Sequence, residues 1–110
     1  MKVAVTGANS AVGRAILRCG PTAAVTPTNF VAAVRSDRAA EQIRSQVSDA
    51  NDVVRISYNN PGSVDAVLQG AAAVIHLPGI LVERPDSTYE QANVASTRSV
   101  VEAAKRAALQ

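Results

Sequence analysis

Gly7 and Gly13 bracket the stretch V-T-G-A-N-S-A-V-G, residues 5–13, where a short β-branched run gives way to a helical pattern. A glycine turn in that position suits phosphate chemistry. The start of the helix offers unpaired N–H groups and the positive end of its dipole, both of which attract an anion. Glycines let the backbone turn tightly, come close to the phosphates and pack the helix on the sheet. Against the pattern G-x-x-G-x-x-G, Ser10 stands where the middle glycine would be. Against G-x-x-x-G-x-G, Ala11 is the odd residue. Each alignment costs one substitution, so the stretch alone does not choose. A Cβ narrows the approach and costs about 1 kcal/mol or more where the backbone needs positive φ. The candidate cradle is Gly7, Asn9, Ser10, Ala11, Val12 and Gly13.

Other residues could take part in chemistry. Arg35 follows the apolar run F-V-A-A-V, and a guanidinium there can grip a phosphate with two parallel hydrogen bonds. Ser57, Tyr58 and Asn59 follow V-V-R-I. His76 closes A-A-V-I-H with no serine, cysteine or carboxylate signature beside it, so it reads as a packed or hydrogen-bonded ring rather than a catalytic base. Cys19 is the single cysteine. It can form no internal disulfide and has no metal-ligand spacing around it, which fits a reducing compartment, and it reads as a buried core thiol.

These residues need elements to position them. Strands are expected over residues 2–6, 30–34, 53–57 and 72–77. A first helix over 11–19 would turn Val12, Ile16 and Cys19 inward and stop at Gly20 and Pro21, with a loop over 22–29. A second helix over 37–47 would be capped by Asp37 and bury Ala39, Ile43 and Val47. A third, over 61–69, has Pro61 in its first turn, Val64, Val67 and Leu68 inward, and Gly70 as its stop. A last helix would start at Pro85 or Asp86 and run nearly to Gln110, with Ala92, Ala95, Val100, Ala103, Ala104 and Ala107 as its inner face. Strands alternating with helices imply a doubly wound α/β sheet with parallel pairing and right-handed crossovers. Runs such as F-V-A-A-V imply strands covered on both faces.

The bulk composition narrows the classes further. The chain has 110 residues, 47% hydrophobic and 18% charged, which suits one globular domain or part of one. Its net charge of +2 is spread along the chain, and with one Phe and two Tyr it offers no stacking platform, so a nucleic-acid surface is not expected. Thr6 and Gly7 interrupt the first apolar run too early for a signal-peptide core, and no run reaches the ~20 residues of a membrane span. The expectation is a soluble cytoplasmic chain.

The opening T-G turn resembles that of the short-chain dehydrogenase/reductase superfamily. H-L-P-G-I, residues 76–80, is similar to the H-x-A-G of its extended and atypical branch, with Pro78 in place of the usual alanine, and unlike the N-N-A-G of single-domain reductases. N-V-A-S-T-R-S-V-V-E-A-A, residues 93–104, resembles that branch too. The likeness covers nearly the whole chain, with its landmarks in the right order. It implies a partial Rossmann-type sheet of about four strands, order 3-2-1-4, forming the N-terminal, NAD(P)-binding portion of an NAD-dependent epimerase/dehydratase-like oxidoreductase.

Beyond the cradle, the cofactor contacts implied are Arg35, Ser57, Tyr58, Leu77, Pro78, Gly79 and Asn93. The family's selector between the ribose hydroxyl and its 2′-phosphate falls at Arg35, which points to NADP ahead of NAD. Ser57 replaces an aspartate that commonly contacts adenine. The family's catalytic pair is Tyr-x-x-x-Lys. Here Gly62 follows Tyr58 by four, and Asn93 follows Tyr89 by four, so the resemblance places the catalytic and substrate-binding parts outside residues 1–110. The other open reading is a non-catalytic NADP-binding regulator or redox sensor. A fourth strand with no fifth beside it implies possible self-association through that edge.

Overall fold

The computed structural model describes residues 1–23, 26–46, 52–78, 85 and 88–107. Four strands form one parallel sheet: β1 (Lys2–Thr6), β2 (Asn29–Val34), β3 (Asp52–Arg55) and β4 (Ala73–His76). Their order is β3-β2-β1-β4, as the resemblance implied. β1 therefore lies between β2 and β4, pairing Thr6 with Ala33 on one side and with His76 on the other. The chain builds outward from β1 to β3 and then returns to its other side. That reversal leaves a crevice at the carboxyl ends of β1 and β4, the place where open α/β sheets take ligands.

The period-2 alternation of the strands sorts their side chains into two layers. Val3, Val5, Phe30, Ala32 and Val34 face α1 (Ala11–Ala23) and α2 (Asp37–Gln46). Ala4, Val31 and Ala33 face α3 (Pro61–Leu68) and α4 (Ser96–Ala107). Phe30 through Val34 are all buried, as expected of a strand covered on both faces. On the second layer an ion pair of 2.9 Å between Arg106 and Asp65 ties α4 to α3. Pro61 opens α3, its Val64, Val67 and Leu68 are buried, and Gly70 follows at φ 75, all as the sequence predicts.

Several sequence expectations are corrected. The inward stripe of α1 is Gly13 and Leu17, with Ile16 only partly buried, while Val12 is 59% exposed. Cys19 is exposed, not a core thiol. The cause is backbone proximity. α1 lies so close to the sheet that a Cβ on Gly20 would stand 2.7 Å from the Phe30 ring, so the helix turns its two glycines toward the sheet, and Leu17, four residues after Gly13, shares that face. α1 also runs past Gly20 to Ala23, carrying Pro21 in its last turn.

The cap of α2 is Ser36, whose Oγ accepts from the Ala39 N–H at 3.1 Å, with Asp37 inside the first turn. The expected Val47 contact lies outside the described residues. β3 ends at Arg55 rather than residue 57, although the Ile56 N–H still donates to the Val34 carbonyl at 2.8 Å. β4 is shorter than residues 72–77 at both ends. The last helix starts after Pro85. Thr88 Oγ1 accepts from the Gln91 N–H at 3.2 Å, and a π-helical segment (Glu90–Ala95) then leads into α4. Of its expected inner face, Ala92, Val100 and Ala103 are buried and Ala95, Ala104 and Ala107 only partly so, while Ser96 is buried as well.

Candidate functional site

The β1–α1 turn is built around two glycines with different tasks. Gly7 has φ 65, in the left-handed region, and an added Cβ would stand 2.5 Å from the Pro78 nitrogen and 2.8 Å from the Leu77 carbonyl carbon. The turn thus lies directly on the chain leaving β4. Gly13 is buried in the first turn of α1, where a Cβ would drive into the Ala8 backbone, its Cα only 2.7 Å away.

Ser10 occupies the point where the motif departs from glycine, and its side chain has a use there. Its Oγ accepts from the Gly13 N–H at 3.0 Å, and its carbonyl accepts from the Arg14 N–H at 2.9 Å. Ser10 is the N-cap of α1. Ala11 and Val12 then present backbone N–H groups for which no acceptor is found among the described residues. Ser10→Ala is expected to lower stability by about 1 kcal/mol and Ser10→Gly by a few tenths. Urea unfolding checks this, and equal midpoints for Ser10→Ala and the parent chain would show that the cap contributes nothing.

A crevice of about 590 Å³ runs from this turn across the sheet's carboxyl end, with Gly7, Asn9 and Ser10 on one wall and Leu77 and Pro78 on another. Arg35, Ser36, Ala39 and Tyr58 line its far side. A second hollow of about 460 Å³ shares Arg35 and Tyr58 and continues past Ser57 and Asn59 to Arg55, Gln91 and Ala95. Together they make a trough with a glycine turn at one end and two arginines near the other. The first hollow is of small-molecule size.

A polar cluster underlies the trough. Thr6 Oγ1 lies 2.6 Å from His76 Nδ1, and Ser96 Oγ lies 3.4 Å from His76 Nε2 while donating to the Ala92 carbonyl at 2.6 Å. Burial holds His76 below its ordinary pKa, favouring the neutral ring. The Tyr58 ring stands edge-on to His76 at 6.1 Å. Burial raises the Tyr58 phenol above its usual range, with the Thr6 hydroxyl and the Arg35 charge pulling the other way. His76 is thus a hydrogen-bonded ring joining β1, β4 and the start of α4.

Of the sequence candidates, Gly7, Asn9, Ser10, Arg35, Tyr58, Leu77 and Pro78 line the first hollow, and Ser57 lines the second. Gly13 is buried beneath the turn, and the side chains of Ala11 and Val12 are exposed. Asn93 is half-buried in the π-helical segment, with its carbonyl accepting from Thr97 Oγ1 at 2.6 Å, and it lines neither hollow. Gly79 lies outside the described residues. Ser36, Arg55 and Gln91 also reach the trough. Ser36 was readable as a cap before a helical run. Gln91 was not, because a π-helical segment shifts the angular phase that ordinary helical spacing assumes.

Sheet order and crevice together define a Rossmann-type α/β protein. The chain belongs to the NAD dependent epimerase/dehydratase family, whose model matches residues 3–110. Similar solved structures include a mutant uronate dehydrogenase from Agrobacterium tumefaciens complexed with NAD, at 26% identity and TM-score 0.69 over 96% of this chain and 36% of that one. Glucuronic acid dehydrogenase from Chromohalobacter salexigens is also 26% identical, with TM-score 0.72 over 96% of this chain and 36% of that one. An NADPH-dependent quinone oxidoreductase from Escherichia coli, complexed with NADPH, shares the fold at 21% identity and TM-score 0.72, over 97% of this chain and 34% of that one. The chain therefore spans about a third of these proteins' length. No curated protein matches it. Among the described residues, no helix is long and apolar enough to cross a membrane.

Proposed function

We propose that this chain is the dinucleotide-binding portion of an NAD(P)-dependent epimerase/dehydratase-like oxidoreductase, with NADP preferred to NAD. The observation that carries the reading is Gly7, whose positive φ and missing Cβ let the turn close against the Pro78 backbone, so that turn and β4 end together line the crevice. The residues present suit a dinucleotide. The Ala11 and Val12 N–H groups and the α1 dipole would take the pyrophosphate, Ser57 and Tyr58 would flank the adenosine, and Arg35 would meet a 2′-phosphate. When bound, the nicotinamide supplies the hydride donor or acceptor. No Tyr-x-x-x-Lys pair is present in the chain to move the accompanying proton. Titration with NADPH and NADH, followed by cofactor fluorescence, tests the reading. Saturable binding of NADPH tighter than NADH supports it, and no binding of either overturns it.

The sheet edge belongs to the same proposal. β4 pairs with β1 only, so its outer N–H and C=O groups have no strand beside them among the described residues. Val74, Val100, Val101 and Ala104 form an apolar groove next to it, with Val101 47% exposed. Such an edge invites pairing with a second copy. Light scattering over a concentration series is expected to show a mass that grows with concentration. A monodisperse monomer at high concentration would show that the edge is protected.

A further inference from the structure

We infer that Arg55 is a second specificity-determining residue for a 2′-phosphorylated adenosine, acting beside Arg35 from the neighbouring strand. The inference rests on the dinucleotide reading proposed above. In the sheet register Arg55 is the partner of Val34, the residue before Arg35, and the Ile56 N–H bond to the Val34 carbonyl at 2.8 Å keeps the two strand ends together past that point. Both arginines line the second hollow, along with the neutral hydrogen-bonding groups of Ser57, Asn59 and Gln91. No carboxylate lines either hollow of the trough among the described residues. The nearest acid in play is Asp37, whose Oδ1 lies 3.3 Å from Arg55 Nη1.

That ion pair explains how the arrangement works. Asp37 stands in the first turn of α2, close after Arg35, where an unpaired carboxylate would repel a 2′-phosphate. Arg55 neutralises it. The pair is exposed, 59% at Arg55 and 84% at Asp37, so the attraction is weak and easily shared. A guanidinium has five N–H donors, and this contact engages one nitrogen. The rest can turn to phosphate oxygens while Asp37 stays paired. A ribose with a free 2′-hydroxyl has no such charge for Arg55 to meet, so the effect falls on the phosphorylated cofactor alone.

The test is Arg55→Gln and Asp37→Asn in the 110-residue chain, each titrated with NADPH and NADH. Both side chains are exposed, so each variant is expected to fold, which circular dichroism would check. Loss of one charge-assisted contact is expected to weaken NADPH about tenfold in Arg55→Gln and to leave NADH within about twofold. Asp37→Asn is expected to tighten NADPH about threefold by removing the carboxylate charge that Arg55 otherwise offsets. Equal weakening of both cofactors in Arg55→Gln, or unchanged NADPH affinity, overturns the inference while leaving the dinucleotide reading intact. Failure of the parent chain to bind either cofactor overturns both.

Discussion

Gly13→Val is expected to abolish dinucleotide binding, weakening NADPH by about 100-fold or more, and to lower stability by roughly 3 kcal/mol. The added Cβ meets the Ala8 backbone, with the Ala8 Cα at 2.7 Å, so no flexible side-chain end can give way. Either α1 lifts from the turn or the turn moves with it. In both cases the Ala11 and Val12 N–H groups leave the line on which a pyrophosphate would sit, and a hundredfold loss corresponds to about one or two charge-assisted hydrogen bonds. Gly62→Ala is the control. Its Cβ has nothing nearer than Asn60 Oδ1 at 3.4 Å, so binding and stability are expected to stay near those of the parent. Fluorescence titration and urea unfolding of both variants decide the matter. A folded Gly13→Val chain with the parent's affinity would mean that the turn holds no phosphate.

Arg35→Asp should reverse the cofactor preference, lowering the NADPH-to-NADH affinity ratio by about 100-fold. Arg35 is exposed, lines both hollows of the trough and has no ion-pair partner among the described residues. Its charge is therefore available to a ligand. Aspartate in its place would repel a 2′-phosphate and accept a hydrogen bond from a ribose 2′-hydroxyl. Titrating the variant with both cofactors gives the ratio directly. The same ratio as in the parent chain would leave Arg35 a solvated surface residue.

Much of this architecture is a local property of the sequence. Short β-branched runs alternating with helical patterns suffice for parallel strands and crossovers, because each element is decided by its own periodicity and its own breakers. Pro61 and Gly70 bound α3 in the sequence as they do in the fold. Phe30 to Val34 reads as a strand buried on both faces and is one. The glycine turn is legible for the same reason: it sits between two elements that declare themselves.

What the tertiary structure decided was how closely the elements approach. Val12 and Cys19 are apolar enough to face a core, yet the helix turns the face of Gly13, Leu17 and Gly20 toward the sheet, because a Cβ has no room at Gly13 against Ala8 or at Gly20 against Phe30, and Leu17 lies between them on that face. No helical period contains that distance. Ser10, read as a departure from a motif, is a cap, since its hydroxyl reaches the Gly13 N–H. Asp37, read as a cap, leaves that place to Ser36 and pairs from α2 with Arg55 at the end of β3. His76 gains Thr6 and Ser96 as partners only when β1, β4 and α4 converge. Periodicity along the chain places a side chain on a face, but hydrogen bonds and charge pairs between distant segments depend on register and on the distance between backbones, which arise only when the layers pack.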